Sequence, residues 1–216
     1  MNDITFSVLD RIGALAREHG HLPERCRPFD QNRNGMVVGE GSAIFLLQSE
    51  SDVRKRSGKV YGYVSGFGIA KDPTASISDW GVGVDSVMAA MRNAVEDAGL
   101  EISEVDAIFA SGNGSVKGDR LEGKAIQSLF SDSVPPVVAV KGYFGEYAAA
   151  GGLQLVAALL ALREQFLPAT LGFEQADSEL HLPIVTAAED RRLRNVLVNS
   201  LSAGGGVVSC ILSRSS

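Results

Sequence analysis

The placement of the glycines constrains this chain more than any other feature of its sequence. Apolar runs end in glycine-bearing turns. Residues 105–110 lead into Ser111-Gly112-Asn113-Gly114, residues 137–140 into Lys141-Gly142, and residues 196–201 into the triplet 204–206. There are 24 glycines among 216 residues, about 11% against roughly 7% in ordinary proteins. Between two of these runs the period changes to that of a helix: Val84, Val87, Met88, Met91, Val95 and Ala98, with Gly99 placed as a C-cap glycine. A second helix is predicted over 119–130, with Asp119 in its first turn, where the dipole favours an acid. A third starts at Tyr147 and runs about 17 residues, with alanine and leucine on every side, and is expected to be buried all round. Strands alternating with helices predict α/β layers. Closing strands at 196–201 and 207–212 suggest that the sheet is mixed.

Toward the N-terminus, Ile4, Val8, Ile12 and Leu15 form one stripe of a helix predicted over 4–18. Residues 36–47 read as a hairpin turning at Gly39-Glu40-Gly41. The charged stretch 52–59 reads as a solvated connection. Residues 60–69, which alternate apolar with small side chains, read as a strand packed closely on another backbone.

Hydrophobic residues at 45% and charged residues at 21% are ordinary for a folded globule and rule out general disorder. Twenty basic against 26 acidic residues give a net charge of −6, which argues against a nucleic-acid groove or an anionic membrane as the main partner. Two cysteines cannot build a disulfide framework and fit a reducing cytoplasm. The opening residues have neither a basic cap nor an apolar run, so no signal peptide is expected. The longest aliphatic stretch, 153–162, is about half a membrane span.

Three chemistries are tested first. Gly112-x-Gly114-x-x-x-Gly118 lies between a strand and a helix, yet it is one residue too long for a dinucleotide loop, so a tight structural turn is expected and no cofactor. His19, His21 and Cys26 match no zinc spacing, so no metal is expected. Arg25 and Arg27 flank Cys26 and offer a way to lower its thiol pKa. No histidine stands in a glycine turn, however; His181 lies in a Leu-Pro segment, and Cys210 sits mid-strand as a small hydrophobe.

Four motifs, taken in order, resemble the C-terminal half of the β-ketoacyl synthases, the condensing enzymes of the thiolase fold. Arg27-Pro28-Phe29-Asp30 through Gly39-Glu40-Gly41 is similar to the family's RPFD…GEG segment. Phe109-Ala110-Ser111-Gly112-Asn113-Gly114-Ser115 with Gly118-Asp119 and Glu122 resembles HGTGT…GD…E. Lys141 to Gly152 resembles K…GH…GAAG, and Asn199-Ser200 to Gly205 the terminal NSFGFGG turn. The resemblance implies a thiolase-like α/β half with a mixed five-stranded sheet and helices on both faces. It forms one unit over 1–216, with residues 1–34 as a helix and loop leading into it.

The departures carry the functional reading. Active members use two histidines to hold malonyl carboxylate and thioester oxygens as negative charge develops. Those positions here are Ser111 and Glu146, and Ala203 replaces the aromatic gate. A glutamate close to a second carboxylate costs about 4 kcal/mol at 4 Å and an effective dielectric of 20. No catalytic residue is therefore expected in this chain. The resemblance makes Ser111, Asn113, Phe144, Glu146 and Ala203 pocket-lining candidates, and Asp119, Glu122 and Lys141 a structural charge network.

Within the family the pattern is similar to chain-length factors, the inactive partners of type II polyketide ketosynthases: Phe109-Ala110-x-Gly112, Asp119-Arg120-x-Glu122 and Gly151-Gly152. The implied role is a non-catalytic cytoplasmic subunit, a heterodimer partner of a full-length ketosynthase, with an acyl carrier protein as a further partner. The family's nucleophilic cysteine lies in an N-terminal half that this sequence does not contain. The alternatives are therefore a split condensing enzyme with cysteine supplied by another chain, or a stand-alone structural domain. A lone half is expected to expose an apolar face that something must cover.

Overall fold

The structure is a computed structural model and describes residues 2–56 and 58–215. Its centre is a five-stranded sheet in the order β1-β7-β6-β2-β3, formed by β1 (Tyr63–Lys71), β2 (Ala107–Phe109), β3 (Val137–Val138), β6 (Asn195–Leu201) and β7 (Gly206–Ser213). β6 and β3 flank β2 in parallel, while β7 runs antiparallel to both β6 and β1. The mixed sheet expected from the resemblance is present. A two-stranded patch, β4 (Phe166–Leu167) with β5 (Glu189–Asp190), lies apart from it.

Helices lie on both faces because the strands alternate. Ile108, Leu197 and Ile211 point to a core shared with α3 (Val84–Asp97) and α4 (Val116–Phe130). Ala107, Phe109, Val196, Val198 and Leu212 point the other way, onto α6 (Ala150–Glu164). The small residues of β1 have a packing cause: a Cβ at Gly66 or Gly68 would strike the backbone of α3 at Ala94 or Ala90. Gly99 ends α3 with φ +68°, the left-handed conformation its position predicted. The described part of the charged stretch is mostly a short exposed helix, α2 (Glu50–Arg56); Ser57 lies outside the described residues.

Three expectations need correction. The first helix, α1 (Asp3–Arg11), is capped by Asn2 but stops well short of residue 18. Gly13 turns left-handed, and the backbone of 14–16 then pairs with Met36 (Ala16 N–H to Met36 O, 2.8 Å). The hairpin at 36–47 does not form. Val37 and Gly39 instead exchange hydrogen bonds with Glu146 (2.8 and 3.0 Å), and residues 43–47 have no strand partner among the described residues. Ile44 and Leu46 stand 98% and 84% exposed.

The third correction concerns α6, which is not buried all round. Ala150, Gln154, Ala158, Ala161 and Leu162 are buried against the sheet, while its other flank is only half covered. On the adjoining face of the β1–β7 pair, Phe67, Ile69 and Val208 are exposed. The sequence pattern of α6 describes a helix that needs apolar cover on two sides, and the described residues supply one. The short strands β4 and β5 and the single turn α5 (Lys141–Phe144) went unread.

Candidate functional site

A cavity of about 1430 Å3 opens at the carboxyl ends of the parallel strands β2 and β6. Its apolar wall includes Val8 and Leu9 from α1 and Ile12 just after it, together with Met36, Ile77 and Trp80. Asn113, Lys141 and Glu146 form its polar end, and Leu201 and Ala203 line the turn after β6.

The turn after β2 is pinned from within. Phe29, Asn113 and Gly114 all donate backbone N–H groups to the Asp119 carboxylate, at 2.8 to 3.1 Å. Gly112 lies flat on the Phe29 ring, and Gly114 adopts φ +89° with its open side against Gly35, so the glycine loop is a packed turn. Glu122, one turn further along α4, accepts from Ser111 N–H (2.9 Å) and Asn199 Nδ2 (3.0 Å). Burial pushes both carboxyls upward, against the pull of these hydrogen bonds, and Glu122 reaches about 7. One helix thus fixes three chain segments through two buried acids.

Lys141, itself buried, and the half-buried Glu146 form an ion pair at 2.6 Å. The same Glu146 oxygen accepts from Asn113 Nδ2 at 2.8 Å, and the other accepts from Tyr147 N–H at 3.1 Å. Ser111 Oγ accepts from Leu201 N–H (3.1 Å) and lies 3.4 Å from the Lys141 ammonium. This amends the electrostatic expectation. The Glu146 charge has a cationic partner, and the lysine and the amide at this end already serve internal acceptors. Stabilising a developing oxyanion needs donors aimed at that oxyanion.

Asn113, Glu146 and Ala203 line the cavity, whereas Ser111 and Phe144 do not. Ser111 is buried behind Lys141, and Phe144 turns into the core beneath α6, edge-on to Tyr147. Asp119 and Glu122 tie turns together; Lys141 instead joins the cavity end. Sequence reasoning missed Tyr147 and the α1 residues as lining, because nothing local shows that residues so far apart share one wall.

Cys26 is not activated by its neighbours. Arg25 and Arg27 both reach Glu174, while the thiol donates to Asn113 O (3.2 Å) and burial pushes its pKa up to about 12. Cys210, packed against the core beneath α6, is pushed up to about 11 by burial. His19, His21 and His181 are exposed, and no cluster of metal-ligating side chains occurs among the described residues. No helix among the described residues is long and apolar enough to cross a membrane.

Comparison with known proteins places these features. The family model for the β-ketoacyl synthase C-terminal domain matches residues 61–174, and that for the N-terminal domain matches residues 1–53. A putative mitochondrial 3-oxoacyl-[acyl-carrier-protein] synthase of Schizosaccharomyces pombe is 31% identical over 215 residues, covering 95% of this chain and 50% of that protein. The solved ishigamide ketosynthase/chain length factor is 32% identical, with a TM-score of 0.90 over 100% of this chain and 52% of that one. A β-ketoacyl synthase from Burkholderia phymatum is 25% identical, with a TM-score of 0.92, covering 100% and 53% respectively. The chain spans about half the length of the curated relatives it matches.

Proposed function

Because this chain belongs to the β-ketoacyl synthase family, whose C-terminal domain model covers more than half of it, we propose that it is a non-catalytic, chain-length-factor-like unit. It acts beside an active ketosynthase in type II polyketide or polyene biosynthesis. The observation that carries this reading is the polar end of the cavity. Where active members use imidazoles, Ser111 is buried and Glu146 holds both Lys141 and Asn113. Losing one preorganised donor typically costs about 3–4 kcal/mol of barrier. Here both imidazole positions have changed, and Lys141 and Asn113 already serve Glu146.

The partner in this reading is a full-length ketosynthase, with an acyl carrier protein as a further contact. The likeness to the ishigamide ketosynthase/chain length factor supports it, as do the apolar surfaces left uncovered at 43–47 and beside α6. Residues 1–216 would then act as one thiolase-like half. The test is co-expression with a full-length type II ketosynthase. The expected outcome is co-purification and a changed product length or yield; failure of both overturns the reading.

A second reading, half of a split condensing enzyme with its cysteine on another chain, is favoured by the same uncovered surfaces. Release of carbon dioxide from malonyl carrier protein on mixing the two halves would put it first. Ser111 and Glu146, standing where active members have histidines, oppose it.

A further inference from the structure

The three side chains whose mutual contacts set this end of the cavity apart from a condensing site also carry a chemistry of their own. Lys141 and Asn113 are both buried, each 4% exposed, and both point a nitrogen at one oxygen of Glu146, at 2.6 and 2.8 Å. Sharing one acceptor makes the amine and the side-chain amide neighbours. The amide cannot turn round: its Oδ1 accepts from Ser115 N–H at 3.0 Å, which leaves Nδ2 facing the glutamate. Nor can its backbone drift, since Asp119 holds the Asn113 N–H and Cys26 donates to the Asn113 carbonyl. A buried amine, an amide whose carbonyl is polarised by a backbone donor, and a carboxylate between their nitrogens are the components of an amide-forming reaction.

We propose that Lys141 and Asn113 join in an intramolecular amide cross-link, with Glu146 as the proton carrier. Glu146 takes a proton from the Lys141 ammonium, and the freed amine attacks Asn113 Cγ, forming the Nζ–Cγ bond. The oxygen of the tetrahedral centre stays on the Ser115 N–H. Glu146 returns its proton to Nδ2, the Cγ–Nδ2 bond breaks, and nitrogen departs with its electron pair as ammonia. The second proton lost by Nζ leaves with it, giving ammonium. Nothing is oxidised or reduced and no co-reactant is consumed; the chain loses one positive charge. Proximity is the driving term, because oriented groups in one molecule react as if at very high concentration. The bond would weld the turn after β2 to α5 and fix the polar end of the cavity. It stands on these contacts and does not depend on the chain-length-factor reading.

The test is the intact mass of the purified, folded full-length chain. The expected value lies about 17 Da, one ammonia, below the sequence mass. Trypsin should join the peptide 93–117 to a peptide left uncut at Lys141. Glu146→Gln and Asn113→Ser should each restore the full sequence mass. Asn113→Asp should instead lose water, about 18 Da, which keeps the proposal testable if another variant fails to fold. A folded chain that holds its full sequence mass after days at neutral pH overturns the cross-link. So does a loss that maps elsewhere or persists in Asn113→Ser.

Discussion

Replacing Glu122 with glutamine isolates one buried acid whose effect on stability can be worked out beforehand. Glu122 is 1% exposed and rises from its ordinary 4.5 to about 7, chiefly through burial, with the nearby Asp119 charge adding to the rise. A shift of about 2.5 units at 1.36 kcal/mol each is roughly 3 kcal/mol. Because the folded value lies above the unfolded one, the native state holds a proton that the unfolded chain releases. That stability is complete below about pH 4.5 and is lost as the pH climbs, the loss finishing just above pH 7. Glutamine keeps an oxygen for Ser111 N–H and Asn199 Nδ2 but cannot ionise. Urea unfolding at steps from pH 5 to pH 8 should show the wild type losing about 2–3 kcal/mol more than Glu122→Gln. Asp119 titrates in both proteins but is coupled to Glu122 through charge, so the difference includes that coupling. Slopes that coincide within about 0.5 kcal/mol would show that Glu122 stays ionised throughout and would refute the reasoning.

Other consequences are as specific. At pH 8 a thiol near 12 is ionised to only about one part in ten thousand, so iodoacetamide should leave Cys26 unmodified in the folded chain and label it on unfolding. Gly39→Ala drives a methyl group into the Phe144 carbonyl and should cost about 3 kcal/mol, read as a lowered urea midpoint. Gly151→Ala, whose new Cβ meets nothing closer than Ser200 Oγ at 3.6 Å, should stay within about 0.5 kcal/mol of wild type. Ile44→Glu with Leu46→Glu alters side chains that are almost wholly exposed, so stability should hold within about 0.5 kcal/mol. If the proposed pairing is right, the same double variant should fail to co-purify with the ketosynthase.

Local signals carried much of the architecture. The period change at Val84, the left-handed glycine after α3 and the two antiparallel strands around the glycine triplet follow from side-chain spacing and backbone freedom. Each is settled within a dozen residues. The motif order carried the site as well: Asp119, Glu122, Lys141 and Glu146 could be picked out because they stand at positions that resemble those of the β-ketoacyl synthase motifs.

What the tertiary structure alone decided are the long-range choices. Residues 36–39 have the residues of a hairpin, but Leu15 and Glu146 offer them better-placed partners, and no local pattern ranks those alternatives. The apolar helix α6 reads as buried on every side because composition reports how much cover a helix needs and says nothing of what provides it. At Glu146, charge alone suggested repulsion; only the fold brings Lys141 within 2.6 Å of it. Coulomb and hydrogen-bond energies depend on distance and burial, and those are properties of the packed chain.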